Sequence, residues 1–274
     1  MKQLFLRNIV VLLLLLFGVY AEAFDFKYGN FCYTITSIPN RTVEVAQSNL
    51  NYSGRVVIPS KVMYKNKEWK VTGLGDYAFI NRRQITELVL PSTLEYIGFS
   101  VITGCVNLSY LKLPPIILLK GTALASSGIK SITIPKGARL DGNLQLEDMR
   151  KLETVSFEEG VDSLFNWVFE GDRLLSKVIL PNTLKYLGCG VFNGCRSLKT
   201  IKIPESVTKI EAPLFDSNCG VVSIFVQWQQ PIEIDDETFP NGKYLDATLF
   251  VPKGTKQIYQ KTKGWSNFSS IIEY

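Results

Sequence analysis

The amino-acid sequence predicts a right-handed solenoid of the α/β class that leans towards mainly β, built around a column of parallel strands. Three observations carry this prediction. A short apolar motif recurs along most of the chain, its spacing is close to 23 residues, and the apolar positions within it alternate as they do in a strand. Because one such unit cannot bury its own apolar side, successive units must stack into a continuous core.

The first 23 residues have the pattern of a secretory signal peptide. A basic segment with Lys2 and Arg7 precedes the apolar run Ile9–Tyr20, and Ala21-Glu22-Ala23 fits the small-x-small cleavage rule. The apolar run is shorter than the ~20 residues that a membrane-spanning helix needs, which disfavours a retained signal anchor. We therefore expect cleavage after this segment, export of residues 24–274 and no membrane span in the mature protein.

Residues 24–53 are predicted to form an N-terminal β cap. Two alternating segments, Phe31–Thr36 and Thr42–Ala46, indicate short antiparallel strands. A cap is needed because an open first coil would expose core side chains and a free strand edge.

The segment 54–227 carries the repeat and is predicted to form about seven coils. Two copies are complete, one in 85–98 and one in 175–188. The residue after each predicted strand recurs at steps of 23, 21, 23, 23 and 23 residues, at Pro91, Pro114, Pro135, Glu158, Pro181 and Pro204. A period in the low twenties with the pattern L-x-x-L-x-L is the signature of leucine-rich repeats. The longer first coil contains Lys61–Val71, which predicts an inserted β-hairpin.

Each part of the repeat has a physical reason. The last three positions alternate in–out–in and form a short strand, and the proline after them ends the strand because it cannot donate to a ladder. A second apolar pair, such as Leu94 and Ile97, is expected to point into the same core. The Gly-Cys-x-x-Leu segments at 104–108 and 194–198 close the coil.

Residues 228–274 break the period and are predicted to form an α/β C-terminal cap. Thr248–Pro252 predicts a last strand, and Thr255–Thr262 predicts a short helix. The mature chain contains no low-complexity linker, so we expect one continuous structural domain. Four side chains are expected to plug the open end of the core: Trp265, Phe268, Ile271 and Ile272.

The full pattern LxxLxLPxTLxxIGxxxFxGCxxL resembles that of the BspA-type leucine-rich repeat proteins. The C-terminal segment 249–274 resembles the tail that closes many of them, and the resemblance extends over about residues 26–274. It implies a bacterial protein that is secreted or exposed at the cell surface. It also implies binding to host matrix proteins or other cells, without enzymatic activity.

Composition excludes several kinds of catalytic site. The 274 residues include no histidine, so Ser-His-Asp, Cys-His and histidine-dependent zinc sites are impossible. The net charge of +5 is too small for a dedicated nucleic-acid binder, and no phosphate-binding glycine loop is present in the sequence. We expect no cofactor, no metal site and no nucleic-acid partner.

The cysteines and the acidic groups have structural as well as functional interpretations. Cys105, Cys195 and Cys219 occupy the same position of different coils, where a buried apolar filler is expected. Cys195 and Cys219 lie in adjacent coils, and the sequence does not decide whether they form a disulfide. The groups Glu158-Glu159 and Asp235-Asp236-Glu237 suit solvated turns, but paired carboxylates could also hydrolyse a glycosidic bond.

The outward positions of the predicted strands are the candidate binding site. Three columns of outward side chains hold five lysines against two glutamates, with aromatic residues added. Solenoids use such faces for recognition, and aromatic residues are favoured at interfaces, whereas a merely soluble strand surface is the alternative. The predicted contact residues are Tyr110, Lys112, Lys130, Thr133, Lys177, Lys199, Lys202 and Phe225.

Together these observations predict a monomeric, non-catalytic binding or adhesion protein that is exported to the cell surface or beyond. Its expected partner is a protein or a cell-surface glycan, and the periplasm is the alternative location. Two other functions are kept as alternatives: a carboxylate-based hydrolase of the cell envelope, and a structural component of an envelope assembly.

Overall fold

The structure is a computed structural model that describes residues 24–140, 146–239 and 247–274. The predicted signal peptide, residues 1–23, lies outside the described residues. The fold is mostly β with little helix (4%), and its parallel strands stack into a β-solenoid of about eight turns. The predicted fold class is confirmed, with about one turn more than the seven coils expected from the repeat.

The strands are short and follow one another along the whole described chain. In chain order they are β1 (Phe26–Tyr28), β2 (Phe31–Ser37), β3 (Thr42–Val45), β4 (Gly54–Val57), β5 (Lys61–Tyr64), β6 (Lys67–Leu74), β7 (Ile85–Val89), β8 (Tyr96–Ile97), β9 (Tyr110–Leu111), β10 (Ile116–Leu119), β11 (Ser131–Ile134), β12 (Gly137–Leu140), β13 (Thr154–Phe157), β14 (Ser163–Leu164), β15 (Lys177–Ile179), β16 (Tyr186–Leu187), β17 (Thr200–Ile203), β18 (Lys209–Ile210), β19 (Ser223–Val226), β20 (Thr248–Val251) and β21 (Ser270–Glu273). The helical segments are α1 (Lys256–Tyr259) and two 3-10 turns, Asp236–Thr238 and Trp265–Asn267.

The strands predicted from the repeat form the first column. It consists of three parallel sheets in succession, β4-β7-β9, β11-β13-β15 and β17-β19-β20-β21. Paired residues are one repeat apart, so that Thr154 lies opposite Lys177 and Lys202 lies opposite Phe225. The predicted strand Thr248–Pro252 is present as β20, and β21, which the sequence did not predict, extends the column by one more parallel strand.

A second column of parallel strands runs along another side of the coils, where the sequence predicted only inward apolar side chains. It comprises β3-β6-β8-β10-β12 and then β14-β16-β18. Several of its strands are only two residues long, such as β8 and β16. The apolar pair Leu94 and Ile97 is buried as expected, each 1% exposed. The prediction therefore placed the core side of this segment correctly but missed its strands.

Antiparallel strands begin the solenoid. β1 pairs with β2 and β2 with β3, both antiparallel, before β3 joins the second column beside β6. The hairpin predicted within Lys61–Val71 is present as β5 and β6. Its turn residues Lys65 and Asn66 have φ angles of 49° and 57°, the left-handed conformation that two-residue hairpin turns favour.

One continuous apolar core fills the coils from the first turns to the C-terminus. At its C-terminal end Trp265, Phe268 and Ile271 are buried as expected, but Ile272 is 47% exposed, which corrects its predicted role as a plug. The reason is the alternation of β21, which turns Ile271 inward and Ile272 outward. Helix α1 covers only part of the predicted 255–262 segment.

Candidate functional site

The exposed face of the first column follows from the alternation within each repeat. In β11, Ile132 is buried and Thr133 is exposed. Because stacked strands pair one repeat apart, outward side chains of successive coils form columns. Thr133 lies opposite Ser156, and the hydroxyl oxygens of the two residues are 2.9 Å apart. The predicted contact residues are therefore placed by the register of the repeat.

The ladder of the first column is interrupted between β9 and β11. β9 is followed by Pro114-Pro115, and proline has no N–H to donate to a neighbouring strand. The step from Pro114 to Pro135 is 21 residues, whereas the other steps are 23. The pair of prolines and the shorter coil coincide with an indentation in this face.

The indentation holds a depression of about 410 Å³, which we call the C-terminal hollow. The structure brings half of the predicted contact set together around it: Tyr110, Lys112, Lys130 and Thr133. Glu158 also lines the hollow, and its Oε2 accepts a hydrogen bond of 2.9 Å from the backbone N–H of Lys136. The hollow therefore combines an aromatic ring, two ammonium groups, one carboxylate and several hydroxyls.

A second depression of about 430 Å³, the N-terminal hollow, lies on the other side of Tyr110 and Lys112. Its polar wall is the ion pair between Arg55 Nε and Glu87 Oε2, which are 3.1 Å apart. Its apolar wall includes Pro114-Pro115. Tyr110 is 57% exposed and lines both hollows, so its ring forms the ridge between them.

The other predicted lysines are exposed but lie farther along the column. Lys177 is on β15 and Lys202 on β17, and the ladder is interrupted again between these two strands. Lys199 precedes β17, and its ammonium group donates to the carbonyl oxygen of Arg196 at 3.2 Å. None of the three lines either hollow. The predicted set therefore falls into separate groups.

Phe225 is only half exposed, unlike the open anchor that the sequence suggested. Its ring stacks on Phe250 of the next strand with 4.2 Å between centroids and 5° between planes. The Tyr274 ring meets it edge-on at 5.4 Å. Sequence reasoning missed these partners, although the predicted strand at 248–252 would have placed Phe250 beside Phe225 by register. Tyr274 reaches it only through the unpredicted β21.

A polar cluster on the second column was also missed. Tyr96 donates a hydrogen bond of 2.6 Å to Glu44 Oε2, and Lys120 lies 5.2 Å from the centre of the Tyr96 ring. The ring covers Gly73, where a Cβ would overlap it. Burial, with the neighbouring carboxylates, raises the pKa of the Tyr96 hydroxyl, so this residue stays neutral and the cluster is structural.

The acidic groups make local and inter-coil hydrogen bonds. Glu159 Oε1 accepts from the backbone N–H of Asn182 at 3.0 Å, one coil further on. Asp235 Oδ1 accepts from the N–H of Glu237 at 2.9 Å and begins a 3-10 turn. These carboxylates, like Glu158, support the backbone of turns, which favours the structural over the catalytic interpretation.

The cysteines of the repeat are buried in the core. The Cys105 thiol donates to the carbonyl oxygen of Phe79 at 3.1 Å, and the Cys195 thiol donates to that of Phe169 at 3.3 Å. Cys195 is therefore a thiol rather than half of a disulfide. Burial raises the pKa of Cys105 to about 11, which keeps this thiol protonated and unreactive.

Asp172 takes the cysteine position in the coil before Cys195 and is fully buried. Burial raises the pKa of its carboxyl to about 9, although the backbone N–H of Met149 opposes this shift. The sequence carried a signal that was overlooked, because Gly171-Asp172 stands where the complete copies have Gly-Cys.

Across 24–140, 146–239 and 247–274, no helix has both the length and the apolar character of a membrane span. Within the same ranges no group of three or more Cys, Asp or Glu side chains is arranged to hold a metal ion.

The repeat geometry and the motif together define a leucine-rich repeat protein. The family model described as the BspA type leucine rich repeat region matches residues 72–176 and 168–271, in six copies. The chain belongs to this family, which confirms the resemblance stated from the motif. No functionally curated protein matches the chain significantly.

Several solved bacterial structures are similar to this chain. A leucine-rich repeat protein from Bacteroides ovatus is 21% identical, with 92% of this chain and 77% of that chain covered and a TM-score of 0.49. The T. pallidum leucine-rich repeat protein is 21% identical, with 64% and 90% covered and a TM-score of 0.49. A leucine-rich cell surface protein from Faecalibacterium prausnitzii is 13% identical, with 87% and 97% covered and a TM-score of 0.39.

Proposed function

We propose that this protein is an exported, non-catalytic binding protein that recognises a protein or glycan partner through the exposed face of the first strand column. The observation that carries the proposal is the convergence of four predicted contact residues, Tyr110, Lys112, Lys130 and Thr133, on the C-terminal hollow. Most of the repeat is committed to stacking, whereas this part of the face is indented and chemically mixed.

Tyr110 is the natural anchor of this site. A tyrosine offers a large rigid contact area and a polar tip, and such residues dominate the energetics of many interfaces. It is more than half exposed, although Leu108 and Leu111 of the same segment are buried. The hollows on both sides of its ring allow a partner to contact both faces.

Export to the cell surface is part of the proposal. The basic and apolar segments of residues 1–23 and the small residues at 21–23 support secretion. Membership of the BspA-type family supports surface exposure as the destination.

A non-catalytic role is supported by the state of the candidate catalytic groups. Glu158, Glu159 and Asp235 hold backbone N–H groups of turns. Glycosidic hydrolysis needs a pair of carboxyl groups facing one substrate site, and of these groups only Glu158 lines a hollow.

Partner capture by the mature protein tests the proposal. Residues 24–274 are used to capture partners from host matrix and bacterial envelope extracts, and the triple variant Y110A/K112A/K130A is compared with the wild type. The matched control, K27A/Y28A/K67A, removes one exposed tyrosine and two exposed lysines from the N-terminal strands. We expect the face variant to lose its partner about tenfold, as for a residue cluster worth over 1.4 kcal/mol, while the control retains it. Equal capture by both variants would reject this face as the site.

A further inference from the structure

The two hollows form one continuous track across the face. Both are lined by Tyr110, Lys112 and Leu113, so a single extended ligand can occupy the N-terminal and the C-terminal hollow and cross the tyrosine ring between them. The track therefore suits an extended chain that contacts both hollows.

The side chains that line the track are of the types that bind sugars. Hydroxyl side chains lie along both hollows and can donate to and accept from sugar hydroxyls. They are Ser92, Ser109, Ser131 and Thr133. The exposed rings of Tyr110 and Pro115 present apolar surfaces on which the C–H faces of a sugar ring can pack.

The charge of the track selects among glycans. Arg55 is neutralised by Glu87, but among the described residues Lys112 and Lys130 have no carboxylate within ion-pair distance. Lys112 and Lys130 therefore flank the Tyr110 ring without an ion pair, and the carboxylate of Glu158, which lines the same hollow, accepts a hydrogen bond from the backbone N–H of Lys136. The two hollows together are lined by three cationic side chains, Arg55, Lys112 and Lys130, and two anionic ones, Glu87 and Glu158. A ligand with carboxylate or sulfate groups gains charge-assisted hydrogen bonds from Lys112 and Lys130, whereas a neutral glycan does not.

A cleft at the neighbouring corner of the same coils extends this positive charge. It has a volume of about 270 Å³, and its lining includes Gly128, two residues before Lys130. Lys151 lies at its rim and donates from Nζ to the carbonyl oxygen of Val106 at 3.0 Å, which fixes the position of the ammonium group. Arg150 also lines the cleft and makes no ion pair among the described residues.

One carboxylate, that of Asp148, also lines this cleft, and its Oδ1 lies 3.3 Å from the position that a Cβ on Gly171 would take in the coil that follows. The corner therefore adds two cationic side chains, Arg150 and Lys151, and one anionic side chain to the residues around Tyr110.

We infer that the hollows and the corner cleft bind an acidic glycan, with Tyr110 as the stacking platform and Lys112 and Lys130 as ligands of its carboxylate or sulfate groups. Arg150 and Lys151 are placed to bind a further acidic group of the same glycan. This inference rests on the proposed function, since it names the class of partner that the face recognises.

Binding of defined oligosaccharides to the mature protein tests the inference. Three acidic probes are used: sulfated heparin oligosaccharides, the same oligosaccharides after chemical desulfation and N-acetylation, which keep only their carboxylates, and hyaluronan oligosaccharides, which also carry only carboxylates. A neutral glucan oligosaccharide tests the need for charge. Inorganic polyphosphate tests the need for sugar rings. We expect the acidic sugars to bind at least tenfold more tightly than the neutral one. The comparison of sulfated with carboxylate-only chains tells which acidic group is preferred. Equal binding of the neutral glucan would overturn the inference.

Variants separate stacking from general attraction of a polyanion. We expect Y110A to weaken acidic-sugar binding about tenfold and Y110F to retain it, because the ring supplies the platform. K112M/K130M keeps the apolar stems, so it should weaken binding and reduce its dependence on salt. The control K65M/K67M removes the same charge from the β5–β6 hairpin and should change affinity less than twofold. If Y110A binds normally, or polyphosphate binds as tightly as the sugars, only non-specific attraction exists and the inference is wrong.

Failure of this inference and failure of the proposed function can be told apart. If no oligosaccharide binds but Y110A/K112A/K130A still loses a captured protein, the face binds a protein and the glycan inference is wrong. If that variant loses nothing in either experiment, the proposed function is wrong as well.

Discussion

Asp172 Oδ1 accepts a hydrogen bond of 2.8 Å from the backbone N–H of Met149, while Asp172 Oδ2, which is buried, has no hydrogen-bond partner among the described residues. The carboxyl group thus bridges two adjacent coils inside the core. The corresponding positions of other coils hold buried thiols such as Cys105 and Cys195. One acidic group has therefore been placed in a position that the repeat otherwise fills with a nearly apolar residue.

This placement predicts that stability falls as pH rises. Burial raises the pKa of Asp172 to about 9 from its ordinary 3.8, and the nearby Asp148 and Glu147 raise it further. Since the folded state binds the proton more tightly than the unfolded state, the stabilisation is complete below about pH 4 and is lost as pH rises towards 9. Urea unfolding at pH 5, 7 and 9 should show this loss in the wild type, on the order of a few kcal/mol. D172N should show a smaller loss, whereas the exposed control D235N should follow the wild type. Parallel profiles for D172N and wild type would contradict the prediction.

Gly220 is predicted to be intolerant of any side chain. A Cβ at this position would overlap the backbone carbonyl oxygen of Arg196 in the preceding coil, and backbone cannot move aside as a flexible side chain can. The N–H of Gly220 also donates to the Cys195 carbonyl oxygen at 3.0 Å, which holds the two coils at this separation. We expect G220A to lower the free energy of unfolding by about 1–3 kcal/mol, measured by urea denaturation. G254A, at a glycine with open space around it, serves as the comparison and should cost less despite its φ of 83°. An equal cost for both variants would mean that the close approach of the coils is unimportant.

The phenylalanine stack is predicted to be a main source of cohesion between coils. Phe192 stacks between Phe169 and Phe215 with 5.7 Å between successive ring centroids, and all three rings are fully buried. F192A should cost about 3–5 kcal/mol because it removes the ring and leaves a cavity between two neighbours. The exposed control Y28A should lie within about 0.5 kcal/mol of the wild type in thermal and urea unfolding. A small effect of F192A would show that the coils can collapse into the space.

The three lysines outside the hollows are predicted to contribute little to partner binding. Lys177, Lys199 and Lys202 are exposed, and no ion pair holds them among the described residues. K177A/K199A/K202A should therefore leave the melting temperature unchanged and weaken capture of the partner less than Y110A/K112A/K130A does. Long-range attraction gives a small, salt-dependent effect. If this triple variant instead abolishes capture, the binding site lies over β15 and β17 rather than at Tyr110.

The repeat made most of the core predictable. Leu94 and Ile97 were placed in the core by their position in the motif, and both are buried. β11 and β13 were predicted from in–out–in alternation, which is strong enough in four residues to reveal a strand. The second column could not be predicted in this way, because a strand such as Tyr96–Ile97 has only two residues and contains no full alternation.

The candidate site was predictable in part. Register alone placed Tyr110 and Lys112 on the outward side of the same strand segment. It could not show that the ladder opens between β9 and β11, because pairing between coils depends on how the two coils approach each other in space. Nor could it show that Phe225 is half covered by Phe250 and Tyr274.

The sequence by itself determined the repeating coil, the residues that face its core and the residues that face outward, since these depend on local alternation and on a period near 23. Only the tertiary structure decided which outward residues lie together. Lys112 and Lys130 meet at one hollow, whereas Lys177 and Lys202 do not line it, although all four occupy outward positions of the same kind. The physical reason is that the C-terminal hollow lies where the ladder opens between β9 and β11, and the pairing of two coils is set by contacts between coils rather than within one.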